Sequence, residues 1–299
     1  MTPRKLLIDT DPGTDDLIAL LMALRSPELE VVGVTTVGGN ARLAHTTRNA
    51  LRILEHIGRA DVPVAPGASR PLRGRFTYAY DFHGPAGLTA RLPLPQTRPT
   101  PGRASDFIYR TLAASPGRVS ILALGPLTNL ARLLRKHPGA KRLMGELVVM
   151  GGAVGVPGNV TPHAEFNVFN DPLAAQEVLA SGIPITLVDL RVCRQALFRK
   201  ADLARLGGKG RAAELALRVL KGWFRLHPKR EAYDLCDPLA TGVLLDPTLV
   251  TTEAVSLGVD VSDGPERGKT YVAATPGPVH VTREVDAERF KELMFRLLA

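Results

Sequence analysis

Four aspartates near the start of the chain constrain its fold more than any other feature. They are Asp9, Asp11, Asp15 and Asp16, set in the segment LLIDTDPGTDDLIALLMAL. Like charges this close repel one another, so a folded protein must solvate them, let them share protons or place a cation among them. The flanking residues predict a buried strand, a Pro-Gly turn and then a packed helix. The acids therefore follow a strand and precede a helix, where open α/β sheets build binding sites.

The composition is typical of a soluble globular protein. Of 299 residues, 45% are hydrophobic, and the formal net charge is +9. Because the basic residues are spread along the chain and only 5% of residues are aromatic, we expect no nucleic-acid partner. The chain has two cysteines, no apolar run long enough to span a membrane and no signal-peptide pattern at its start. We therefore expect a cytoplasmic protein with no membrane partner.

Strand and helix patterns alternate through the first two thirds of the chain. This rhythm predicts an α/β fold with an open, mostly parallel sheet flanked by helices. Residues 254–285 alternate like antiparallel strands. Residues 70–102 are rich in Pro, Gly and Arg and too long for a routine connection, so they are interpreted as a functional loop or flap. No linker divides the sequence, and we expect residues 1–299 to form one domain.

Polar residues follow several of the predicted strands. They are the Asp9–Asp16 run, Asn40, Thr128 with Asn129, and the region of Glu165 and Asn167. Because the carboxyl ends of parallel strands share one edge of a sheet, we expect these side chains to converge. Carboxylate and amide oxygens suit a hard cation better than zinc, which prefers Cys and His.

Six motifs carry a resemblance to a known family. They are DTDPGTDD, VGGN, ALGPLTNLA, VMGG, AEFNVFNDPLAA and CDPLA, in that order. In order and spacing they resemble the motifs of the inosine-uridine nucleoside hydrolases, from about residue 5 to about residue 250. The resemblance implies the nucleoside hydrolase fold and calcium-dependent hydrolysis of the N-glycosidic bond of ribonucleosides to ribose and free base. It also implies a homodimer or homotetramer.

The resemblance assigns site residues as well. Ca²⁺ is held by Asp11, Asp16, the main-chain carbonyl of Thr128, and Asp237. Asp11 also takes a proton from the ion-bound water that attacks the anomeric carbon. The assigned ribose contacts are Asp15, Asn40, Asn159, Glu165 and Asn167, with Met150 packed beneath the sugar. The transition state is expected to resemble a ribosyl oxocarbenium ion, which negative groups stabilise.

The chain departs from the best-known family pattern beside the leaving base. Cys236 stands directly before Asp237, where many members have His. A thiol has a reference pKa near 8.5, so Cys236 is either the acid that protonates the base or a small buried residue beside a metal ligand. His83 matches a histidine that pyrimidine-preferring members place near the base, and it favours uridine and cytidine; the alternative is a loop histidine without a role. Tyr233 is the preferred base contact.

Two other functions stay open at this point. A haloacid-dehalogenase-type phosphatase uses Mg²⁺ and two acids spaced like Asp9 and Asp11, but the segment DPGTDD and the lack of a late pair of acids do not fit that class. A calcium-dependent ribose- or nucleoside-binding protein could have lost turnover through the change at Cys236. The presence of Asp11 and Asp16 argues against such decay. The sequence does not decide which base is preferred.

Overall fold

The computed structural model describes residues 2–299 and is built around a large mixed sheet. The strands are β1 Arg4–Thr10, β2 Leu29–Thr36, β3 Val64–Pro66, β4 Val119–Ala123, β5 Met144–Met150, β6 Ile185–Val188, β7 Leu197–Arg199, β8 Ala232–Asp234, β9 Val250–Val259 and β10 Thr270–Val285. The helices are α1 Thr14–Arg25, α2 Leu43–His56, α3 Tyr80–His83, α4 Ala104–Ala114, α5 Thr128–Lys136, α6 Phe166–Asn170, α7 Pro172–Leu179, α8 Leu190–Cys193, α9 Arg211–Leu226, α10 Cys236–Leu245 and α11 Ala287–Leu298.

Eight of these strands form one sheet in the order β3-β2-β1-β4-β5-β6-β10-β9, and β7 pairs with β8 apart from it. Strands β1 to β6 run parallel to one another, and β10 runs parallel to β6 but pairs antiparallel with β9. The prediction of a mostly parallel sheet with antiparallel strands near the C-terminus is therefore confirmed. The strand order reverses direction between β1 and β4, which creates the crevice where such sheets bind ligands.

Two apolar cores cover the two faces of the sheet. Helix α1 is buried along nearly its whole length and packs against α10, α11 and α9 in the larger core. Its burial explains why the sequence after Asp16 is apolar on every side rather than along one stripe. The smaller core lies beneath α4, α5 and α7. Together the cores fix the carboxyl end of β1 relative to the helices around it.

The segment 70–102 is an anchored cover rather than a free flap. It is mostly irregular and contains only the short helix α3 among its described residues. Hydrogen bonds donated by its main-chain N–H groups tie it to two other parts of the chain, the junction of α6 and α7 and the loop at Asn40. They run from Leu72 N to Asp171 Oδ2 (2.8 Å), from Thr77 N to Asn170 Oδ1 (2.7 Å) and from Ala79 N to Asn40 O (3.1 Å). These bonds hold α3 over the carboxyl edge of the sheet.

Within residues 2–299, every helix is too short or too polar to cross a lipid bilayer.

Candidate active site

A cavity of about 600 Å³ lies at the carboxyl edge of the sheet. The predicted residues that line it are Asp15, Asn40, His83, Met150, Asn159, Glu165, Asn167, Tyr233, Cys236 and Asp237. It occupies the crevice next to the β1/β4 reversal, since Leu124 lines it directly after β4 and Met150 ends β5. A larger cavity of about 740 Å³ along α9 is lined by none of these residues, and most of its charged groups are basic. The chemistry of the chain is therefore concentrated in the first cavity.

Three carboxylates meet at the floor of this cavity. Oxygens of Asp15, Asp16 and Asp237 lie within 4.8 Å of one another. Asp16 is held in place by the Thr10 hydroxyl, by Gly13 N (2.9 Å) and by Asn40 Nδ2 (2.9 Å), which all donate to it. The cluster thus combines the start of α1 with the start of α10.

Asp11 lies against the same cluster. Its main-chain N–H donates to Asp16 Oδ1 (3.3 Å), and its Oδ2 accepts a hydrogen bond from Asn40 N (2.6 Å). Its Oδ1 is buried and has no hydrogen-bond partner within residues 2–299. A buried, unpaired carboxylate oxygen is costly, and a bound cation or water would satisfy it. Asp11 therefore has one fixed oxygen and one available oxygen.

Burial and mutual repulsion act together on these acids. Burial raises the pKa of Asp237 well above its usual value, and the charges of Asp16, Asp15 and Asp11 raise it further. Burial, followed by the charge of Asp16, raises the pKa of Asp15 to about 7. These carboxylates cannot all be ionised at neutral pH without a compensating positive charge. The set of buried oxygen donors therefore fits a divalent cation.

The opposite wall carries the residues expected to contact ribose. Glu165 caps helix α6, and its carboxylate accepts hydrogen bonds from the main-chain N–H groups of Asn167 (2.8 Å), Val168 (3.1 Å) and Gly152 (3.1 Å). Asn167 Nδ2 donates to Leu124 O (2.7 Å) and contacts Met150 Sδ (3.4 Å). This wall is a rigid network whose polar groups are fixed before any ligand binds.

Two residues beside the cavity differ in what they offer a leaving base. Burial, reinforced by His227, lowers the pKa of His83 to about 3, so its imidazole is neutral. Hydrogen bonding with Cys193, together with burial, raises the pKa of Cys236 well above its usual value, so its thiol stays protonated. His83 can therefore donate a hydrogen bond, whereas Cys236 carries a proton throughout the neutral range.

The comparison with known proteins decides what this cavity belongs to. The sequence model described as inosine-uridine preferring nucleoside hydrolase matches residues 6–292. The chain belongs to this family. Membership makes it an N-ribosyl hydrolase, and the family prediction from the six motifs is confirmed.

Both a pyrimidine-specific and a purine-preferring relative resemble this nucleoside hydrolase. The pyrimidine-specific ribonucleoside hydrolase RihA of Citrobacter koseri is 39% identical over 304 residues, covering 98% of this chain and 97% of RihA. A plant nucleoside hydrolase structure superposes with a TM-score of 0.94 at 34% identity, covering 99% of both chains. A purine-preferring ribonucleoside hydrolase from Gardnerella vaginalis gives 0.93 at 32%, covering 99% of this chain and 98% of its own.

Thr128 does not reach the acid cluster of this nucleoside hydrolase. Its hydroxyl donates to Asp171 Oδ2 (2.6 Å), and it is the first residue of α5. Carbonyl groups of an α-helix point towards its C-terminus, so the Thr128 carbonyl points away from the strand ends. Leu124 is the residue of this segment that lines the cavity. The expectation that Thr128 supplies a metal ligand is therefore not met by this geometry.

Asp9 lies behind the cluster rather than in it. Its Oδ1 accepts hydrogen bonds from the Thr35 hydroxyl and from Asn129 Nδ2 (2.8 Å). Burial raises its pKa to about 6. Asn129 also follows β4, so the expected convergence of polar groups extends to a supporting layer beneath the cavity.

The aromatic residues before Asp237 divide between core and cavity. Trp223 and Phe224 are buried core residues, and Trp223 stacks on Tyr233 with 3.9 Å between ring centres and 8° between ring planes. Tyr233 lines the cavity, and its hydroxyl donates to Asp15 Oδ1 (3.0 Å). The Tyr233 hydroxyl therefore contacts another side chain of the site.

Sequence reasoning missed several residues of the cavity wall. Tyr78, Asp81 and Phe82 come from the covering segment, and Arg194, Arg230 and Asp234 border the other side. Arg194 donates to the carbonyl oxygens of Pro157 (2.7 Å) and Gly158 (2.8 Å), directly before Asn159. Only their place in the sequence could have indicated them. Tyr78, Asp81 and Phe82 lie within the covering segment 70–102, and Arg230 and Asp234 lie shortly before Asp237.

Proposed function

We propose that this nucleoside hydrolase cleaves pyrimidine ribonucleosides, uridine and cytidine, and that it uses Ca²⁺ held by the aspartate cluster. One observation carries the proposal: Asp15 and Asp237 line a cavity whose other wall offers fixed ribose partners, and Asp16 and the unpaired Oδ1 of Asp11 are buried directly behind them. The pyrimidine preference is supported by His83 at the cavity wall and by the similarity to a pyrimidine-specific relative.

The metal would be held by Asp11, Asp16 and Asp237. Their oxygens suit Ca²⁺, which accepts many oxygen ligands in flexible geometry, better than Mg²⁺, which needs a tight octahedron. When bound, the cation would supply the positive charge that keeps the aspartates ionised and would lower the pKa of water in the site. The pairing of Asp16 with Thr10, Gly13 and Asn40 orients one ligand in advance.

Asp11 acts as the general base. Its Oδ2 is fixed by Asn40 N, which leaves Oδ1 to accept the proton of the water that attacks the anomeric carbon. A positioned base contributes about 10²- to 10⁴-fold to a rate. The positive charge that develops on the ribosyl group as the bond to the base breaks is stabilised by the surrounding carboxylates, until the attacking water adds to the anomeric carbon.

Ribose is bound by Asp15 and Asn40 on one side and by Asn159, Glu165 and Asn167 on the other, with Met150 beneath it. Partners that are held before binding favour a sugar with a full set of hydroxyls. A sugar that lacks one would leave a buried polar group unpaired, at a cost of about 1–3 kcal/mol.

Cys236 delivers the proton to the departing base, and His83 donates a hydrogen bond to it. The raised pKa of Cys236 keeps the proton on the thiol at neutral pH and makes the thiol a weak acid, so the transfer has to accompany the development of negative charge on the departing base. The pKa of His83, about 3, leaves no imidazolium to act as the acid. The two residues therefore have separate tasks at the same ring.

A substrate panel with metal control tests this proposal. Ribose release from uridine, cytidine, inosine and guanosine is measured after chelation and again after addition of Ca²⁺ or Mg²⁺. We expect activity to require Ca²⁺ and to be greatest with the pyrimidine nucleosides, and we expect Asp11→Asn to be inactive. Tight nucleoside binding without ribose release would instead identify a binding protein, and phosphate release from 4-nitrophenyl phosphate would identify a phosphatase. A single domain, a cytoplasmic location and a dimeric or tetrameric assembly stay predictions.

A further inference from the structure

A hydrogen bond joins the base side of the cavity to its ribose side. The hydroxyl of Tyr233, on β8, donates to Oδ1 of Asp15, at the start of α1, over 3.0 Å. Tyr233 is 98% buried, and Asp15 is only partly covered where it faces the cavity. The bond is therefore sheltered from water on the tyrosine side and accessible to a ligand on the aspartate side.

Packing fixes the direction in which the Tyr233 hydroxyl points. One face of its ring lies on Trp223, 3.9 Å away and nearly parallel, and Phe82 meets the ring edge-on at 5.6 Å. Trp223 is itself fully buried and is held edge-on by Phe224 at 5.2 Å. A ring enclosed in this way cannot turn without breaking several aromatic contacts. The Tyr233 hydroxyl is therefore a donor at a fixed position.

A fixed donor determines how the Asp15 carboxylate is presented. The terminal torsion of an aspartate is broad and roughly two-fold, so its two oxygens exchange places readily. A hydroxyl that occupies Oδ1 leaves Oδ2 to accept a hydrogen bond from a ligand. Asp15 also lies close to Asp16 and Asp237, and a cation among them would attract the free carboxylate. The Tyr233 bond opposes that rotation.

We propose that Tyr233 is a positioning residue, which aims Asp15 at a ribose hydroxyl, and that the enzyme thereby selects its sugar through an aromatic stack on the base side. This inference rests on the proposed function, in which Asp15 binds ribose. It differs from a base contact in one measurable way. A base contact would affect some bases more than others, whereas a residue that acts through Asp15 affects every riboside alike.

The variant Tyr233→Phe tests this role because it keeps the ring and removes only the hydroxyl. We expect kcat/KM for uridine, cytidine, inosine and 4-nitrophenyl riboside to fall by one common factor of about 10 to 100, the range for a hydrogen bond to a charged group. The preference for uridine over its 2′- or 3′-deoxy analogue should shrink by a similar factor. Tyr109→Phe is the matched control, because the Tyr109 ring also stacks but does so on His137.

A double-mutant cycle identifies the partner. In the Asp15→Ala background, where 4-nitrophenyl riboside reports the residual rate, the further change Tyr233→Phe should have no effect. A loss that differs between bases, an unchanged preference for ribose, or additive effects in the cycle would each overturn the positioning role. An unchanged unfolding temperature shows that the ring packing of Tyr233→Phe is intact.

Failure of the proposed function has a different signature. If the wild-type protein binds nucleosides without cleaving them, the hydrolase mechanism fails, and the preference for ribose is measured from dissociation constants of uridine and its deoxy analogues. A loss of that preference in Tyr233→Phe would still support the positioning role. A wild-type protein that neither cleaves nor binds these ligands would overturn both.

Discussion

Nδ1 of His83 accepts a hydrogen bond from the main-chain N–H of Thr14, 3.1 Å away. This bond joins helix α3 of the covering segment to the first residue of α1, beside the acid cluster. It also determines the tautomer, since an Nδ1 that accepts leaves the hydrogen on Nε2. Protonation of His83 would break this contact, and the interior position resists it.

We predict that His83→Gln makes stability less sensitive to acid. The pKa of His83 is about 3 in the folded protein, against about 6.5 for an unperturbed histidine. Between these values the unfolded chain binds more protons, so the free energy of unfolding falls as pH is lowered through this window. Urea unfolding at pH 4.5 and pH 7 should show a smaller difference for the variant. The exposed His280→Gln should behave like the wild type, and equal slopes for all three proteins would contradict the prediction.

We predict that removing the metal destabilises the protein more at pH 7.5 than at pH 5. Burial and the charge of Asp16 raise the pKa of Asp15 to about 7 in the cation-free protein. A raised pKa means that the folded state holds the proton more tightly, so stability falls as pH rises towards 7. Added Ca²⁺ should reverse this loss. The difference in unfolding temperature between Ca²⁺ and chelator should therefore grow with pH, and Asp237→Asn should reduce it.

We predict that Gly39→Ala lowers kcat by about 100-fold, the effect expected when a reacting group moves by about 1 Å. A Cβ at Gly39 would collide with Oδ2 of Asp11, and a Cβ at Gly125 would come within 2.7 Å of its Oδ1. The two glycines therefore leave the space that this carboxylate occupies. Gly139→Ala is the control, because a Cβ there meets no atom of residues 2–299 within 4 Å. The measurement is kcat for uridine under steady-state conditions. Equal kcat values for Gly39→Ala and Gly139→Ala would refute the prediction.

We predict that Cys236→Ser slows nucleosides about 10²- to 10⁴-fold, the usual contribution of a general acid, and slows 4-nitrophenyl riboside far less. Nitrophenolate leaves without protonation, so it does not need the thiol. The rates of the two substrate classes are compared for each variant. The control Ser262→Ala changes an exposed residue that does not line the cavity, and it should preserve the wild-type ratio. Equal losses on both classes would show that Cys236 is not the acid.

The sequence predicts the parts of this fold that depend on local pattern. The buried run of β1 and the continuous apolar run after Asp16 predict a strand and a buried helix, and the apolar periodicity of Arg211–Leu226 predicts another helix; each is present. Helix α6 was missed because it has only five residues and is capped by Glu165, a residue that is not among the usual helix caps. Short helices that depend on tertiary contacts have too few residues to show a helical pattern in the sequence.

The candidate site also contains some features that the sequence predicts and others that depend on contacts between distant segments. Residues that follow strands were predicted to converge, and Asp11, Asp15, Asn40 and Asn167 do so, because parallel strands bring their ends together. Thr128 also follows a strand, but the start of α5 turns its carbonyl away. The contact of His83 with Thr14 and that of Tyr233 with Asp15 join distant segments, and no spacing rule within one sequence reveals them.

The acid cluster takes Asp15 and Asp16 from the beginning of the chain and Asp237 from near its end. A nascent chain on the ribosome contains the first two long before the third is made. Until α10 docks against α1, the two early carboxylates lack the third, and the cluster is incomplete. Catalysis therefore has to wait until Asp237 has been made and α10 has packed against α1.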